Sequence, residues 1–181
     1  MLAALPAFDE ETGDANVVIE TPKGCRNKYK FDETKNLFSL SGVLPAGAVF
    51  PFDFGFVPST KAQDGDPIDV LLLMDEPAYP GVLVQARFIG VITAYQTERD
   101  GKRTRNDRLI AVAAKSTEHN AIRSIRDLSK DTLEQIEHFF ISYNQIRGKK
   151  FQPISRKGPS EALKLVKKAM HGTGIARNRA H

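Results

Sequence analysis

The chain has 181 residues, 41% of them hydrophobic and 27% charged, which suits one soluble domain with its own core. Cys25 is the sole cysteine, and His119, His138, His171 and His181 stand at no ligand spacing, which excludes an internal disulfide framework and a multi-cysteine zinc site. The net charge of +4 is concentrated from Arg147 onward, where basic residues face the single acid Glu161; without aromatic residues interleaved after Phe151, this reads as solvated surface rather than a nucleic-acid site. Met1–Pro6 carries no basic leader, its apolar run is short for a signal peptide, and nowhere do about eighteen apolar residues run together, so the expectation is a soluble cytoplasmic protein with no membrane partner.

In chain order, Val17–Thr21 is β-branched and stops at Pro22. Lys28–Asp32 alternates, with Tyr29 and Phe31 on one face and Lys28 and Lys30 on the other. After the polar turn Glu33–Asn36, Leu37–Leu40 reads as a return strand, completing a hairpin or meander. The aromatics of Phe50–Phe56 fall at even positions, and Phe50, Phe52 and Phe56 would form the core wall of a small barrel. Ile68–Met74, Val82–Ala94 and Leu109–Ala113 are further strands, and the absence of alternating helices favours a closed or partly closed barrel over a parallel sheet.

The second half turns helical. Ser129 is placed to cap a helix with Leu133, Ile136, Phe140, Tyr143 and Ile146 inward, ending near Gly148. Ser160 is the expected cap of a second helix, with Leu163, Val166 and Met170 inward and Lys164, Lys167 and Lys168 outward. No internal repeat or long linker divides the chain. The expectation is a single domain over 1–181, with 1–15 as an N-terminal extension and 172–181 as a fraying tail.

The chemically informative stretch is Asp64-Gly65-Asp66-Pro67-Ile68-Asp69, three carboxylates within six residues. Carboxylates this close repel one another and resist burial unless a cation lies between them, which points to a hard divalent ion such as Mg2+. An EF-hand fails because its sixth position is Asp69 and its twelfth Asp75, where glycine and glutamate are required. No P-loop motif exists. In an extended segment Asp64 and Asp66 share a face, roughly 6.5 Å apart. Such carboxylates could hold two metal ions about 3.5–4 Å apart for phosphoryl transfer. The plain alternative is an acidic surface turn.

Asp-Gly-Asp-Pro-Ile-Asp-Val, preceded by Phe-Pro-Phe-Asp-Phe-Gly-Phe-Val-Pro, Asn-Lys-Tyr-Lys and Val-Val-Ile-Glu-Thr-Pro, resembles the soluble family I inorganic pyrophosphatases. The likeness runs in order from about Asn16 to Ala114 and resumes from His138-Phe139-Phe140 to Tyr143. It implies an α+β, mainly β protein, an OB-like five-stranded closed barrel with flanking C-terminal helices. It also implies hydrolysis of pyrophosphate with Mg2+ and assembly as a homo-oligomer. By position, Asp64 and Asp69 match metal ligands, Asp66 matches a carboxylate that helps activate the attacking water, and Glu20 matches an acid of the metal site that holds metal-bound water. Lys28 and Tyr143 match groups touching the phosphates.

Several positions depart from the family pattern. Lys30 stands where the family usually has glutamate, and Ser39–Val43 lacks its arginine. Phe54 has lost a hydroxyl, Gln96 and Asn106 stand near two later acidic ligands, Arg108 replaces a lysine, and Asn144 replaces the lysine after Tyr143. Lys30 could supply the missing arginine's charge, and Arg108 retains charge in a planar fork suited to phosphate. Asp107, Asp100 or Glu98 could replace the later acids; Asp107 is the favoured ligand, although alternation would then require a bulge. These departures leave two alternatives to pyrophosphate hydrolysis: action on another phosphoanhydride, or a non-catalytic phosphate- or polyanion-binding protein on the same barrel.

Overall fold

The computed structural model describes residues 2 and 5–171. The expected fraying tail lies outside the described residues. Nine strands and two α-helices occur among the described residues: β1 (Ala15–Thr21), β2 (Asn27–Asp32), β3 (Leu37–Val43), β4 (Asp53–Phe56), β5 (Asp69–Leu73), β6 (Leu83–Thr97), β7 (Arg103–Arg105), β8 (Arg108–Ala113), α1 (Lys130–Ile146), β9 (Lys150–Lys157) and α2 (Pro159–His171). The sheet runs β1-β4-β5-β8-β6, and β6 pairs back onto β1, so five strands close a barrel. This is the OB-like barrel expected from the sequence, with β2 and β3 as a separate hairpin.

The barrel strands are apolar on both faces because both faces are covered. Val70 and Leu72 join one core cluster with Val17, Ile19, Leu109 and Ala111, and α2 adds Ala162, Val166 and Ala169 to it. Leu71 and Leu73 point the other way, into a cluster with Phe50, Phe54, Ile110 and Val112, to which α1 contributes Leu133, Ile136 and Phe140. The segment before β1 folds back as well: Phe8 bridges Ala15, and Asn16 Nδ2 donates to the Pro6 carbonyl at 2.9 Å.

Ser129 caps α1 as expected, its Oγ accepting the Thr132 N–H at 3.0 Å. Ser160 does not cap α2. Pro159 is already its first helical residue, a position where its fixed φ and missing N–H cost nothing. The inward face of α2 is Ala162, Val166 and Ala169, while Leu163 is only half-buried. Strand β9 is unexpected from the sequence. Among the described residues it pairs only with β6, as an edge strand where Pro153 is tolerated, and its polar composition leaves only Phe151 fully buried.

Barrel closure demands a glycine at one point. Gly55 on β4 lies opposite Ile19 on β1, and a Cβ there would sit 2.2 Å from the Val18 carbonyl oxygen. Because the clash is with backbone of an adjacent barrel strand, Gly55→Ala is expected to cost about 3 kcal/mol in urea-unfolding stability. An unchanged midpoint would contradict this account of closure.

Candidate active site

A cleft of about 580 Å³ opens beside the barrel where β1, β2, β5, β6 and β8 and the last turns of α1 come together. Glu20, Lys28, Lys30, Asp64, Asp66, Asp69, Arg108 and Tyr143 all line it. The topology explains the convergence. Strands β5 and β8 run parallel with Val70 opposite Leu109, so one step back sets Asp69 beside Arg108. Hairpin β2–β3 then brings Lys28 and Lys30 over the same opening.

The buried side of the cleft is a hydrogen-bonded chain. Arg108, 5% exposed, donates through Nη1 to Asp69 Oδ2 and Asn106 Oδ1. Asn106 Nδ2 donates to Gln96 Oε1 at 3.0 Å, and Gln96 Nε2 donates to Glu98 Oε1 at 2.5 Å. Lys149 pairs with the other oxygen of Glu98 at 2.7 Å, and this bond is the main reason Glu98 lies below the usual glutamate range. The Arg108 guanidinium packs 5.0 Å from the Phe140 ring centre and 5.5 Å from that of Phe151.

The open side carries a second set. Lys30 Nζ bonds Asp66 Oδ2 at 2.8 Å, with both side chains about half exposed. Burial alone would lower the Lys30 ammonium, but the bond to Asp66 and the charges of Asp66, Glu20 and Asp69 outweigh it and the net shift is upward. Lys28 Nζ lies 5.2 Å above the Phe54 ring and 5.3 Å above Tyr143, a cation–π seat between a core aromatic and a cleft aromatic. Asp64 is raised by desolvation, reinforced by the nearby Asp69 and Asp66 charges. Mutual repulsion of this kind is what a bound cation relieves.

Asp107 is not brought into the cleft. It lies in the two-residue link between β7 and β8, where its Oδ1 accepts the Ala94 N–H at 2.9 Å and the Arg105 Nε at 2.5 Å. No bulge re-aims it; Glu98 is the later acid that lines the cleft. Asp100 closes a turn by accepting the Lys102 N–H. Lys30, expected to supply the charge of the arginine missing in β3, lines the cleft paired with Asp66. Arg147 does come to that strand: its Nη1 bonds the Tyr143 hydroxyl and would lie 3.4 Å from a Cβ at Gly42.

Arg147 and Lys149 also line the cleft and were read in the sequence only as part of a basic tail. Arg147 could have been found, because it follows Tyr143 by four residues on the same helix face. Lys149 could not, since its position depends on β9. A separate group, Asp75, Glu118 and His119, brings its ligand atoms within 4.8 Å of one another although none of the three lines the cleft. Asp75 there accepts Ser116 Oγ, Thr117 Oγ1 and the Thr117 N–H, which ties the loop after β8 to the end of β5.

Facing carboxylates and cations at the mouth of a small closed barrel form a phosphate-handling site. A family profile described as inorganic pyrophosphatase matches residues 17–173. The chain is 37% identical over 169 residues to an inorganic pyrophosphatase of Synechocystis sp., covering 93% of this chain and 96% of that protein. It is 35% identical over 161 residues to one from Geobacillus stearothermophilus, covering 88% and 93%. The crystal structure of inorganic pyrophosphatase from Thermus thermophilus superposes with a TM-score of 0.86 at 32% identity, covering 95% of this chain and 98% of that one. The chain belongs to the inorganic pyrophosphatase family.

Glu20 is the buried acid of the cleft. Its carboxylate accepts the Phe31 N–H at 2.8 Å, yet burial, with the Asp69 charge adding to it, pushes its pKa up to about 7 from 4.5. A raised carboxyl binds its proton more tightly in the native state, so its contribution is most favourable at low pH and is lost as pH rises from about 4.5 through about 7. In metal-free protein, Glu20→Gln should flatten that fall and be more stable than wild type at pH 8 by about 3 kcal/mol. Denaturant titrations at pH 5 and pH 8 measure the difference, and equal differences at both would refute the assignment.

Proposed function

We propose that this protein hydrolyses inorganic pyrophosphate to two phosphates in the cleft, as a Mg2+-dependent enzyme. The observation that carries the reading is the convergence of Glu20, Asp64, Asp66 and Asp69 with Lys28, Lys30, Arg108 and Arg147 in one cleft of a pyrophosphatase-family barrel. The donor set suits magnesium: four carboxylates, of which Asp64 is raised by burial, with its neighbours' charges adding to it, and Glu20 by burial. Magnesium held by these residues would supply Lewis-acid polarisation of the phosphoryl oxygens.

The chain's own residues do the rest. Lys28 and Arg147, flanking the Tyr143 ring, bind and orient the phosphates, with the Tyr143 hydroxyl as a further contact. Arg108, held against Asp69 and Asn106, adds a fixed positive charge to the field that the substrate meets. Asp66 accepts the proton of the attacking water. Its bond to Lys30 is no obstacle, because an exposed ion pair is worth only about 0–1 kcal/mol and gives way cheaply to a water molecule.

The reading includes a cytoplasmic homo-oligomer, which the exposed apolar side chains Leu40, Val43 and Ile146 favour. No described helix is long and apolar enough to cross a membrane. Purified protein with magnesium and pyrophosphate should release phosphate, and Asp66→Asn should lower kcat by about 100-fold or more without changing the circular dichroism spectrum. Lys28→Ala should act chiefly on KM. Folded wild-type protein that releases no phosphate across magnesium concentrations would end this reading.

A further inference from the structure

Arg108 does what a bound cation does: it joins two oxygen donors across the back of the cleft. Its Nη1 donates to Asp69 Oδ2 and Asn106 Oδ1, and the side chain is only 6% exposed. The direction of every following hydrogen bond is set from there. A guanidinium can only donate, so Asn106 must present its oxygen to Arg108 and its NH2 to Gln96. Gln96 must then present its oxygen to Asn106 and its NH2 to Glu98, whose remaining oxygen takes Lys149. Donors and acceptors match along the whole chain.

A divalent ion on this side would need oxygen lone pairs directed at one point. The Asn106 and Gln96 oxygens are already engaged, Glu98 is held by an ammonium, and a permanent positive charge occupies the place between Asp69 and residue 106. Buried Arg108 Nε has no hydrogen-bond partner among the described residues, so the guanidinium has accepted an unpaired donor in order to sit here. Two aromatic faces, Phe140 and Phe151, hold the plane in position.

We infer that the Arg108 guanidinium takes the place of one divalent cation, so that this chain binds one metal ion fewer than the same cleft with carboxylates at positions 96 and 106. The ions it does bind gather on the side of Glu20, Asp64 and Asp66 and the outer oxygen of Asp69. The inference deepens the proposed magnesium-dependent reading and rests on it for its catalytic meaning, but the number of ions can be counted without substrate.

The test counts Mn2+ ions bound per chain, from the free-ion electron paramagnetic resonance signal, on wild type and on a Gln96→Asp/Asn106→Asp/Arg108→Lys variant. The variant should bind one more ion per chain than wild type. Equal numbers would overturn the inference. Because the variant could fail to fold, crystals of wild type grown with Mn2+ give a second reading by anomalous scattering. Manganese peaks bonded to neither Asn106 Oδ1 nor Gln96 Oε1 agree with the inference, and a peak bonded to either overturns it. Pyrophosphate hydrolysis measured on the same wild-type sample reports separately on the proposed activity. An inactive protein with the expected ion count would remove that activity and leave the guanidinium's role standing.

Discussion

The ion pair between Arg108 and Asp69 is where fold and site depend on each other. It sits where the parallel strands β5 and β8 begin, next to a wall of Leu, Ile and Val that leaves little water to solvate a charge. Breaking a buried pair by removing one partner typically costs about 3–5 kcal/mol, because the other charge is left unpaired. The same pair ends the apolar part of both strands and opens the polar cleft. Phe140 and Phe151 complete the seat, so α1 and β9, both distant in sequence, are part of what allows an arginine to be buried at this point.

Around this pair the charges are close to balanced. Six carboxylates and five lysine or arginine side chains line the cleft. A site that works chiefly through bound metal needs an excess of acid, whereas this one carries several of its positive charges on the chain. Permanent cations are held in position before substrate arrives and need no ion concentration to be in place, although they polarise a phosphoryl oxygen less than a divalent ion does. Arg108 covers the back, Lys30 the open side, and Arg147 with Lys149 the end nearest α1. Charge absent at residues 39–43 and 144 is thus returned from other elements rather than from neighbouring positions.

Much of this was legible in the chain. Alternation and β-branched runs located the barrel strands, and Ser129 located the start of α1. The hexapeptide Asp64–Asp69, with Glu20, Lys28 and Tyr143, marked residues that the fold does bring into one cleft. These signals are local: a strand's period, a cap or a tight acidic turn lies within a few residues. The failures involve pairing between distant segments. Strand β9 has too little apolar content to declare itself and exists because β6 offers it an edge. Asp107 is adjacent to Asn106 and Arg108 in the chain, but its carboxylate is taken up by Arg105 and the Ala94 N–H, whereas Glu98 reaches the cleft from ten residues before Arg108. Ser160 reads as a cap because a hydroxyl is the usual one, whereas α2 already begins at Pro159, which fits the first helical turn.

The amino-acid sequence by itself determined the kind of barrel, the acidic turn that opens the cleft and the family to which the chain belongs, because each depends on short-range patterns or on several motifs in fixed order. It also contained Lys30, Gln96, Asn106 and Arg108, which the resemblance marks as departures from the family pattern. Only the tertiary structure decided what those substitutions do together. Whether Gln96 and Asn106 are lost ligands or links in a closed hydrogen-bonded chain depends on which way their amides face. That direction is imposed by one buried guanidinium, brought between them and Asp69 by the parallel register of two strands.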